Sequence, residues 1–330
     1  MNDVIISLAT YNRRLPKIKQ TLPMIISQKC PYKKIIINVQ DDCNNDEFRQ
    51  FEEFKKLSDK IEVVKRPAKW RALNKIIYTY REYPDDIIIT CDDDIFYDDY
   101  LFSALLDMHM KQPECIIAHE INPVIIENDG KIRTPICVEP KLLQVEFGKY
   151  MTGCCLFPPH IFDGSSIRID DYDRFIELTD GVNDEIWLWT LSTLLGVQCI
   201  GLNYTYSFDL DCAAMPPEDF ALSNINGKKD VIAEVDYRLN TLYGKSLVEK
   251  MLSKPIVIYV NRDNFSGVLA NANWINRTYK NFYILFVCNP AEIRRSQVYN
   301  ILYVYSKLQW GKGIRISHPM MNKWFERGTI

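Results

Sequence analysis

Three consecutive aspartates, Asp92, Asp93 and Asp94, follow an apolar run at residues 87–91. Adjacent carboxylates repel one another unless a cation or several hydrogen-bond donors compensate their charge. Alternate residues of an extended segment point the same way, so Asp92 and Asp94 can face one site while Asp93 faces another. Hard carboxylate oxygens suit Mg²⁺ or Mn²⁺, which also bind the diphosphate of a nucleotide. The run is a candidate metal site, and the alternative is an acidic turn that caps the next helix.

Basic residues lie just upstream of this run. Arg71 and Lys75 follow the third predicted strand, and helical spacing puts them on one face of the next helix. From there they could neutralise negative charge that develops on a departing nucleotide. The alternative is a solvated helix face, where lysines and arginines are usually found.

A second acidic motif, Asp184 and Glu185, begins a predicted helix and precedes the bulky apolar residues 186–189. The positive end of a helix keeps a carboxylate ionised, whereas apolar surroundings raise its basicity. This combination suits a general base. Acidic residues are also common in first turns as helix caps, and on local evidence alone that interpretation is favoured.

A parallel sheet covered by helices would bring these motifs together. We predict strands at 4–9, 35–39, 61–64 and 87–91, each apolar on both faces as central parallel strands are, and helices at 15–28, 46–57, 71–82 and 99–110. Ligands of such sheets lie beyond the carboxyl ends of the strands. The residues that follow the four strands are acidic, basic and polar, so acid and base converge on one edge.

The pattern changes after residue 113. Extended segments are predicted at 116–121, 124–127 and 131–137, the last two joined by a hairpin signal at 128–130. A helix follows at 184–195, with Asn183 as its cap and Gly196 as its terminator, and then a strand at 197–202. From residue 254 the alternation restarts with strands at 256–261, 282–288 and 314–317 and helices at 267–276 and 290–308. We therefore predict a principal domain at 1–220, a helical connector at 221–254 and a small α/β domain at 255–330.

Composition excludes several classes of function. A formal charge of -3 argues against a general nucleic-acid binder. Neither a signal-peptide pattern nor a membrane-spanning run is evident, so a cytoplasmic location is expected, including the inner face of the membrane. The ten cysteines include no C-x-x-C pair, which favours buried apolar residues over a zinc site or disulfides. The triplet Gly244-Lys245-Ser246 is not part of a P-loop, because a P-loop would need a glycine at position 239, where the chain has Leu239. No G-x-G-x-x-G sequence is present either.

Taken together, five segments resemble GT-A fold glycosyltransferases, and within them the inverting family 2 enzymes of bacterial capsule and cell-surface polysaccharides. The segments are 5–13, 40–46, 83–97, 152–159 and 183–189, and their order and spacing agree over about residues 3–245. The segment 83–97 looks like the strand that bears the metal-binding D-x-D motif. Two departures stand out: Cys154 and Cys155 replace expected glycines, and Glu185 stands where the family usually has Asp.

The resemblance implies an α/β fold with a Rossmann-like mixed sheet and helices on both faces, and it assigns roles to individual residues. The nucleoside would be framed by Thr10, Tyr11, Arg13 and Asp41 or Asp42. The metal and diphosphate would be held by Asp92 and Asp94, with Asp93 as a structural or sugar-contacting residue whose substitution should be less damaging. The departing diphosphate would be stabilised by Arg71 or Lys75. The general base would be Glu185, with Asp184 as a close second. The segment 152–159 would be a small-residue loop, in which Gly153, Cys154 and the two prolines shape the acceptor side.

These roles amount to an inverting transfer of a sugar, in surface polysaccharide synthesis, from a nucleotide donor, expected to be a UDP-sugar, to a saccharide or lipid-linked acceptor. Mn²⁺ or Mg²⁺ is the expected cofactor. The competing interpretations are a sugar nucleotidyltransferase and a non-catalytic sugar- or protein-binding module. For the C-terminal unit the candidate partners are the acceptor, membrane-side assembly machinery and a second copy of the chain in a homodimer. Its aromatic residues fit an interface, although a core is favoured: Tyr299, Tyr303, Tyr305 and Trp310.

Overall fold

The computed structural model describes residues 2–122, 124–126, 132–133, 149–150, 153–181, 183–202, 212–214, 231–253, 256–260 and 282–286. The chain divides into two compact units. The first comprises Met1–Ile121, Tyr150–Leu202 and Phe208–Val231, and the second comprises Asn122–Lys149, Asn203–Ser207 and Ile232–Ile330. All the candidate site residues named above lie in the first unit.

Strands and helices alternate through the first part of this unit. The strands are β1 (Val4–Thr10), β2 (Lys34–Gln40), β3 (Ile61–Arg66), β4 (Ile87–Cys91), β5 (Ile95–Tyr97) and β6 (Ile116–Ala118). The helices between them are α1 (Leu15–Ile26), α2 (Asn45–Glu52), α3 (Asn74–Glu82) and α4 (Leu101–Lys111). Short 3-10 segments cover Asn12–Arg14, Glu53–Lys56 and Ala68–Leu73.

Shorter elements follow. The strands are β7 (Ile121–Asn122), β8 (Ile125–Ile126), β9 (Ile132–Arg133), β10 (Lys149–Tyr150), β11 (Cys154–Phe157), β12 (Cys199–Gly201) and β13 (Cys212–Ala214). Two helices, α5 (Tyr172–Thr179) and α6 (Asp184–Leu195), lie between β11 and β12.

Among the described residues, seven strands form one mixed sheet in the order β12-β6-β11-β4-β1-β2-β3. Strand β11 pairs antiparallel with both β4 and β6, while the other neighbouring strands pair in parallel. The α/β class and the mixed, Rossmann-like sheet predicted from the sequence are confirmed. The four predicted strands of the first hundred residues are the parallel half of this sheet.

Apolar burial explains the central position of these strands. All five residues of β4 are buried, as are six of the seven residues of β1, as expected for strands covered on both faces. Helix α1 buries Ile18, Leu22 and Ile25 at helical spacing. Burial of each such side chain contributes roughly 1.5–3 kcal/mol to folding. The core therefore holds the strand ends in place.

Helix α6 begins and ends at the predicted residues. The Asn183 side chain accepts a hydrogen bond from the Ile186 N–H, and Gly196 adopts the left-handed conformation that ends many helices. Residues 186–193 are buried without interruption, so this helix lies inside the unit and has no solvent face along its middle. Its first turn, with Asp184 and Glu185, is only partly covered.

Three expectations about local structure were wrong. The helix predicted at 71–82 begins at Asn74, because Arg71 has φ 47° and ψ −126° and interrupts the helical conformation. The helix predicted at 46–57 ends at Glu52 and continues as a 3-10 segment. The segment 152–159, expected as a loop, contributes strand β11 to the middle of the sheet, where the side chains of Cys154 and Cys155 are buried. Small apolar residues suit such a position as well as they suit a loop.

The second unit contains most of α7 (Val231–Tyr243), then α8 (Leu247–Ser253), β14 (Ile256–Val260) and β15 (Phe282–Phe286). Strands β8 and β9 pair antiparallel, as the predicted hairpin requires, and β14 and β15 pair in parallel. The hairpin turn, the later helices and strand, and the four aromatic residues near the C-terminus lie outside the described residues. The predicted domain boundaries at 220 and 254 stay predictions.

Two further findings concern the described residues alone. The described cysteines at positions 30, 43, 91, 115, 154, 155 and 199 are free, and all of these but the half-buried Cys30 are buried, in agreement with the prediction of small apolar residues. No helix among them is both long and apolar enough to cross a membrane.

Candidate active site

The carboxyl ends of β1, β2, β3 and β4 lie at one edge of the sheet, because these strands are parallel. The amino end of the antiparallel β11 lies there too, since Cys154 faces Cys91. This edge therefore collects the residues after four strands and the residue before a fifth. It is where the sequence places acid and base together.

Asp92 is the first residue after β4, and three residues hold it in place. Lys75 Nζ lies 2.5 Å from Asp92 Oδ1. The Asp92 N–H donates to the Tyr97 hydroxyl at 2.7 Å, and that hydroxyl donates to the Gly153 carbonyl, also at 2.7 Å. Gly153 itself packs against the Asp92 carboxylate. Tyr97 therefore ties the acidic turn to the residue that precedes β11.

Asp93 points into the protein. Its carboxylate accepts a hydrogen bond from Thr10 Oγ1 at 2.6 Å and lies 3.3 Å from Arg14 Nη1. Its carbonyl accepts from Thr21 Oγ1 at 3.1 Å. Burial raises the pKa of Asp93 to about 7, because the loss of hydration outweighs the stabilisation of the charged form by Arg14 and Thr10. Asp93 thus joins β1 and α1 to the end of β4.

Asp94 faces a different cation from Asp92. Its carboxylate forms an ion pair with the Arg14 guanidinium, and Lys17 Nζ lies 3.8 Å away. Alternation predicted that Asp92 and Asp94 face one site and Asp93 another. In the structure Asp94 shares Arg14 with Asp93, whereas Asp92 pairs with Lys75.

The Asp92 and Asp94 carboxylates are the candidate ligands for a divalent metal ion. Within the part of the chain that the structure describes, no group of three or more His, Cys, Asp or Glu side chains could hold a metal ion. A Mg²⁺ site in a nucleotide-binding protein needs only one or two carboxylates, since diphosphate oxygens and waters complete it. The Asp92 side chain is 34% exposed and that of Asp94 24%, so both present oxygen atoms to solvent. Each of the two carboxylates therefore offers the minimal protein share of such a site.

Arg71 and Lys75, predicted on one helix face, are separated by the structure. Arg71 precedes α3 in its interrupted 3-10 segment and is exposed. Lys75 is in the first turn of α3 and is 1% exposed. The prediction of a shared face was wrong, because it assumed that the helix extended back to residue 71.

The acidic pair at the start of α6 approaches the same edge through Lys75. Asp184 Oδ2 lies 3.7 Å from Lys75 Nζ. Burial by itself lowers the pKa of Lys75, but the carboxylates of Asp92, Asp184 and Glu185 outweigh it and hold the pKa above its ordinary value. The ammonium group is therefore charged, and it links the end of β4 to the start of α6.

The residues predicted to frame a nucleoside lie around the ends of β1 and β2, in different environments. Thr10 is buried and donates to Asp93, whereas Tyr11 is half-buried with its ring 5.9 Å from the Arg14 guanidinium. Arg13 is exposed. Asp41 Oδ1 accepts from the Ala68 N–H at 3.0 Å, which joins β2 to the segment before α3, and Asp42 is exposed.

Arg14, Lys17 and Tyr97 were missed from the sequence, although they contact the aspartates. The signal for Arg14 and Lys17 was their place directly after β1, beside the predicted Arg13. Tyr97 carries no such signal, because its contact to Gly153 joins positions 56 residues apart. Thr10 was predicted as a nucleoside contact, and the structure shows that it supports Asp93.

The order of these features along the chain agrees with a known family. Residues 5–156 match the model described as glycosyl transferase family 2. This stretch is a family 2 glycosyltransferase segment. The predictions of the family and of a glycosyltransferase are confirmed. The family 2 segment includes β1 to β4, the aspartate run and most of β11, whereas Asp184 and Glu185 lie beyond it.

Among solved structures, the chain is similar to that described as the crystal structure of S. aureus TarS 1-349 in complex with UDP-GlcNAc, with 9% sequence identity and a TM-score of 0.48. The similarity covers 93% of this chain and 80% of that chain. No curated protein was found to match the sequence.

Proposed function

We propose that this glycosyltransferase is an inverting enzyme that moves a sugar from a UDP-sugar to a hydroxyl group of a saccharide or lipid-linked saccharide in surface polysaccharide synthesis. The observation that supports this most is that Asp92 and Asp184 both pair with the ammonium group of Lys75. A carboxylate after a central strand is placed to hold the cation that accompanies a diphosphate, and a carboxylate at a helix start is placed for proton transfer. Both lie within reach of one ammonium group.

The donor is proposed to bind across the ends of β1, β2 and β4. Tyr11, Arg13 and Asp42 offer an aromatic ring, a guanidinium and a carboxylate with solvent access on this edge. Arg71 is exposed within the 3-10 segment before α3, where a guanidinium could pair with diphosphate oxygens. Thr10, Asp93 and Arg14 would act indirectly, by holding the acidic turn in place.

A divalent cation belongs to this proposal, with Asp92 and Asp94 as its protein ligands. Bound there with the diphosphate, Mn²⁺ or Mg²⁺ would stabilise the negative charge of the departing nucleotide. Arg14 and Lys17 beside Asp94, and Lys75 beside Asp92, limit the excess negative charge of the turn whether or not a cation is bound.

The proton of the acceptor hydroxyl is proposed to go to the acidic pair of α6. The helix start stabilises an ionised carboxylate, and the buried Ile186 and Trp187 limit access of water behind it. As the proton leaves, the acceptor oxygen attacks the anomeric carbon from the side opposite the diphosphate. One displacement of this kind inverts the configuration at that carbon.

The proposal is tested by UDP release from a panel of UDP-sugars in the presence of Mn²⁺, with and without saccharide acceptors. Asp184→Asn and Glu185→Gln remove the two candidate bases while keeping their size. We expect one of them to lower kcat by about 100-fold or more, because general-base catalysis contributes on that order. Product analysis by NMR should show the inverted anomer. Failure of every nucleotide sugar to bind or to release its nucleotide would reject this function.

Cellular location and assembly are separate proposals. We propose that the protein acts in the cytoplasm at the inner face of the membrane and that it forms a homodimer. Membrane flotation and light scattering of the purified chain test these two points independently of activity.

A further inference from the structure

The environment of Lys75 is unusual for a lysine. Lysines are almost never fully buried unless they are paired, yet Lys75 is 1% exposed. Its neighbours on α3, Asn74, Ile76 and Ile77, are also fully buried, so the backbone that carries Lys75 cannot shift easily. The ammonium group is therefore held at a defined point between β4 and α6.

Two carboxylates from distant parts of the chain meet at this point. Lys75 Nζ lies 2.5 Å from Asp92 Oδ1 and 3.7 Å from Asp184 Oδ2. The first distance is that of a charge-assisted hydrogen bond, and the second is that of an ion pair. Asp92 and Asp184 are 92 residues apart in sequence, and without the lysine their like charges would repel each other.

The Lys75 ammonium group is also inaccessible to a bound ligand, because the side chain is buried. A lysine that stabilises a leaving group must present its ammonium group to solvent or substrate, whereas that of Lys75 is buried and already engaged. A direct contact to the diphosphate, as predicted from the sequence, is therefore the weaker interpretation for this residue. The exposed Arg71 suits that contact better.

We infer that Lys75 is a positioning residue, which fixes the separation between the donor-side carboxylate of Asp92 and the acceptor-side acid pair of α6. The inference rests on the proposed function, since it assigns those two sides. In this role Lys75 touches neither substrate, and it acts by keeping the acceptor hydroxyl and the sugar–diphosphate bond in line. A displacement of about 1 Å between reacting groups can lower a rate about 100-fold.

The role predicts a particular kinetic effect. Loss of Lys75 should lower kcat far more than it weakens binding of the nucleotide, because the nucleoside contacts lie at the ends of β1 and β2. A lysine that served only as a buried counter-ion would change the free energy of unfolding and leave the kinetics of the folded protein unchanged.

The test compares Lys75→Met, Lys75→Arg, Asp184→Asn and the double variant Lys75→Met/Asp184→Asn with the wild-type chain. Lys56→Met, at an exposed lysine in the 3-10 segment before β3, is the matched control. Calorimetry gives the Kd of UDP, initial rates of UDP release give KM and kcat, and thermal unfolding shows which variants fold.

For Lys75→Met we expect kcat about 100-fold lower, with the Kd of UDP within about threefold of wild type. The double variant should recover part of the lost stability, because it removes one of the two carboxylates that lose their ion pair with the lysine, but it should not recover kcat. Lys75→Arg keeps the charge with a different geometry, so kcat about tenfold lower is expected. It also serves as the test if Lys75→Met does not fold.

Two outcomes separate the inference from the function on which it rests. If a folded Lys75→Met or Lys75→Arg variant has the kcat of wild type, the positioning role is overturned while the glycosyltransferase proposal stands. If the wild-type chain neither binds UDP nor releases it from any UDP-sugar, both are overturned.

Discussion

The carboxylate of Asp92 lies directly against the α-carbon of Gly153. A Cβ atom added to Gly153 would be 2.6 Å from Asp92 Oδ2 and 2.8 Å from Ile95 Cδ1. Both of these neighbours are ends of side chains, so they can move without disturbing the sheet. A side chain at position 153 would therefore displace the carboxylate that we place beside the diphosphate, while leaving the fold in place.

We predict that Gly153→Ala lowers activity while the protein stays folded. The free energy of unfolding should fall by about 1–3 kcal/mol, because the added methyl group displaces the Asp92 carboxylate that pairs with the buried Lys75. The rate of UDP release should fall by about tenfold or more, because Asp92 loses its position relative to Lys75. Chemical denaturation and steady-state kinetics measure the two effects. Equal kinetics in the variant and in wild type would contradict this account of Gly153.

A second prediction concerns the divalent cation. Mn²⁺ should strengthen UDP binding to the wild-type chain, and Asp92→Asn and Asp94→Asn should each remove this strengthening, because each variant replaces one proposed ligand. Calorimetric titrations of UDP with and without Mn²⁺ measure it. If Asp94→Asn keeps the full manganese effect, Asp94 serves Arg14 and Lys17 rather than the metal.

Asp93 was expected from the sequence to tolerate substitution better than its neighbours, and its environment leads to a revised prediction. Asp93→Ala should destabilise the fold by about 2–4 kcal/mol, because it leaves Thr10 and the Arg14 guanidinium without their buried partner. Asp93→Asn keeps an acceptor for Thr10 and should cost less. Urea denaturation of the two variants provides the measurement, and a stability for Asp93→Ala equal to wild type would show that this network is unimportant for folding.

Two variants of Arg71 distinguish the effect of its backbone strain from the effect of its side chain on nucleotide binding. Its φ of 47° is in the region that favours glycine, so Arg71→Gly should be more stable than Arg71→Ala by about 1 kcal/mol. Both variants lose the guanidinium equally. If Arg71 contacts the diphosphate, both should bind UDP more weakly by about tenfold. A weaker Kd in Arg71→Ala alone would instead attribute the effect to the backbone.

His160 should make stability depend on pH. Its Nε2 and Nδ1 atoms each lie 2.8 Å from a carboxylate oxygen, of Asp85 and Asp163 respectively. These hydrogen bonds raise the pKa of His160 above its ordinary value. The charged imidazole then contributes stability below about pH 6.5, the ordinary pKa of histidine, and that contribution is lost as pH rises through the raised pKa.

The variant His160→Asn tests this, because asparagine tolerates the left-handed backbone found at residue 160. Its melting temperature should change less between pH 5.5 and 9 than that of wild type, measured under the same conditions by circular dichroism. If the melting temperatures of the two proteins change equally with pH, His160 does not contribute to the pH dependence of stability. The remaining charged partner groups, Asp85 and Asp163, are present in both proteins.

Local patterns along the chain determined a large part of this protein. Apolar residues on both faces located β1 to β4, and capping residues located α6 to the residue, because these signals are contained in a few neighbouring positions. The order of short motifs sufficed for the family. The aspartate run, the acid pair and the two basic residues were identified as candidates from their types and spacing, and their roles stay predictions.

Tertiary structure alone decided what each of these residues contacts. The sequence could not show that Arg71 breaks the helix, that 154–157 is a central strand, or that Lys75 is buried between Asp92 and Asp184. Such contacts join residues far apart in the chain, and their distances depend on how β4, β11, α3 and α6 pack. Residue types and spacing therefore predicted the chemistry, while packing determined which carboxylate each cation meets.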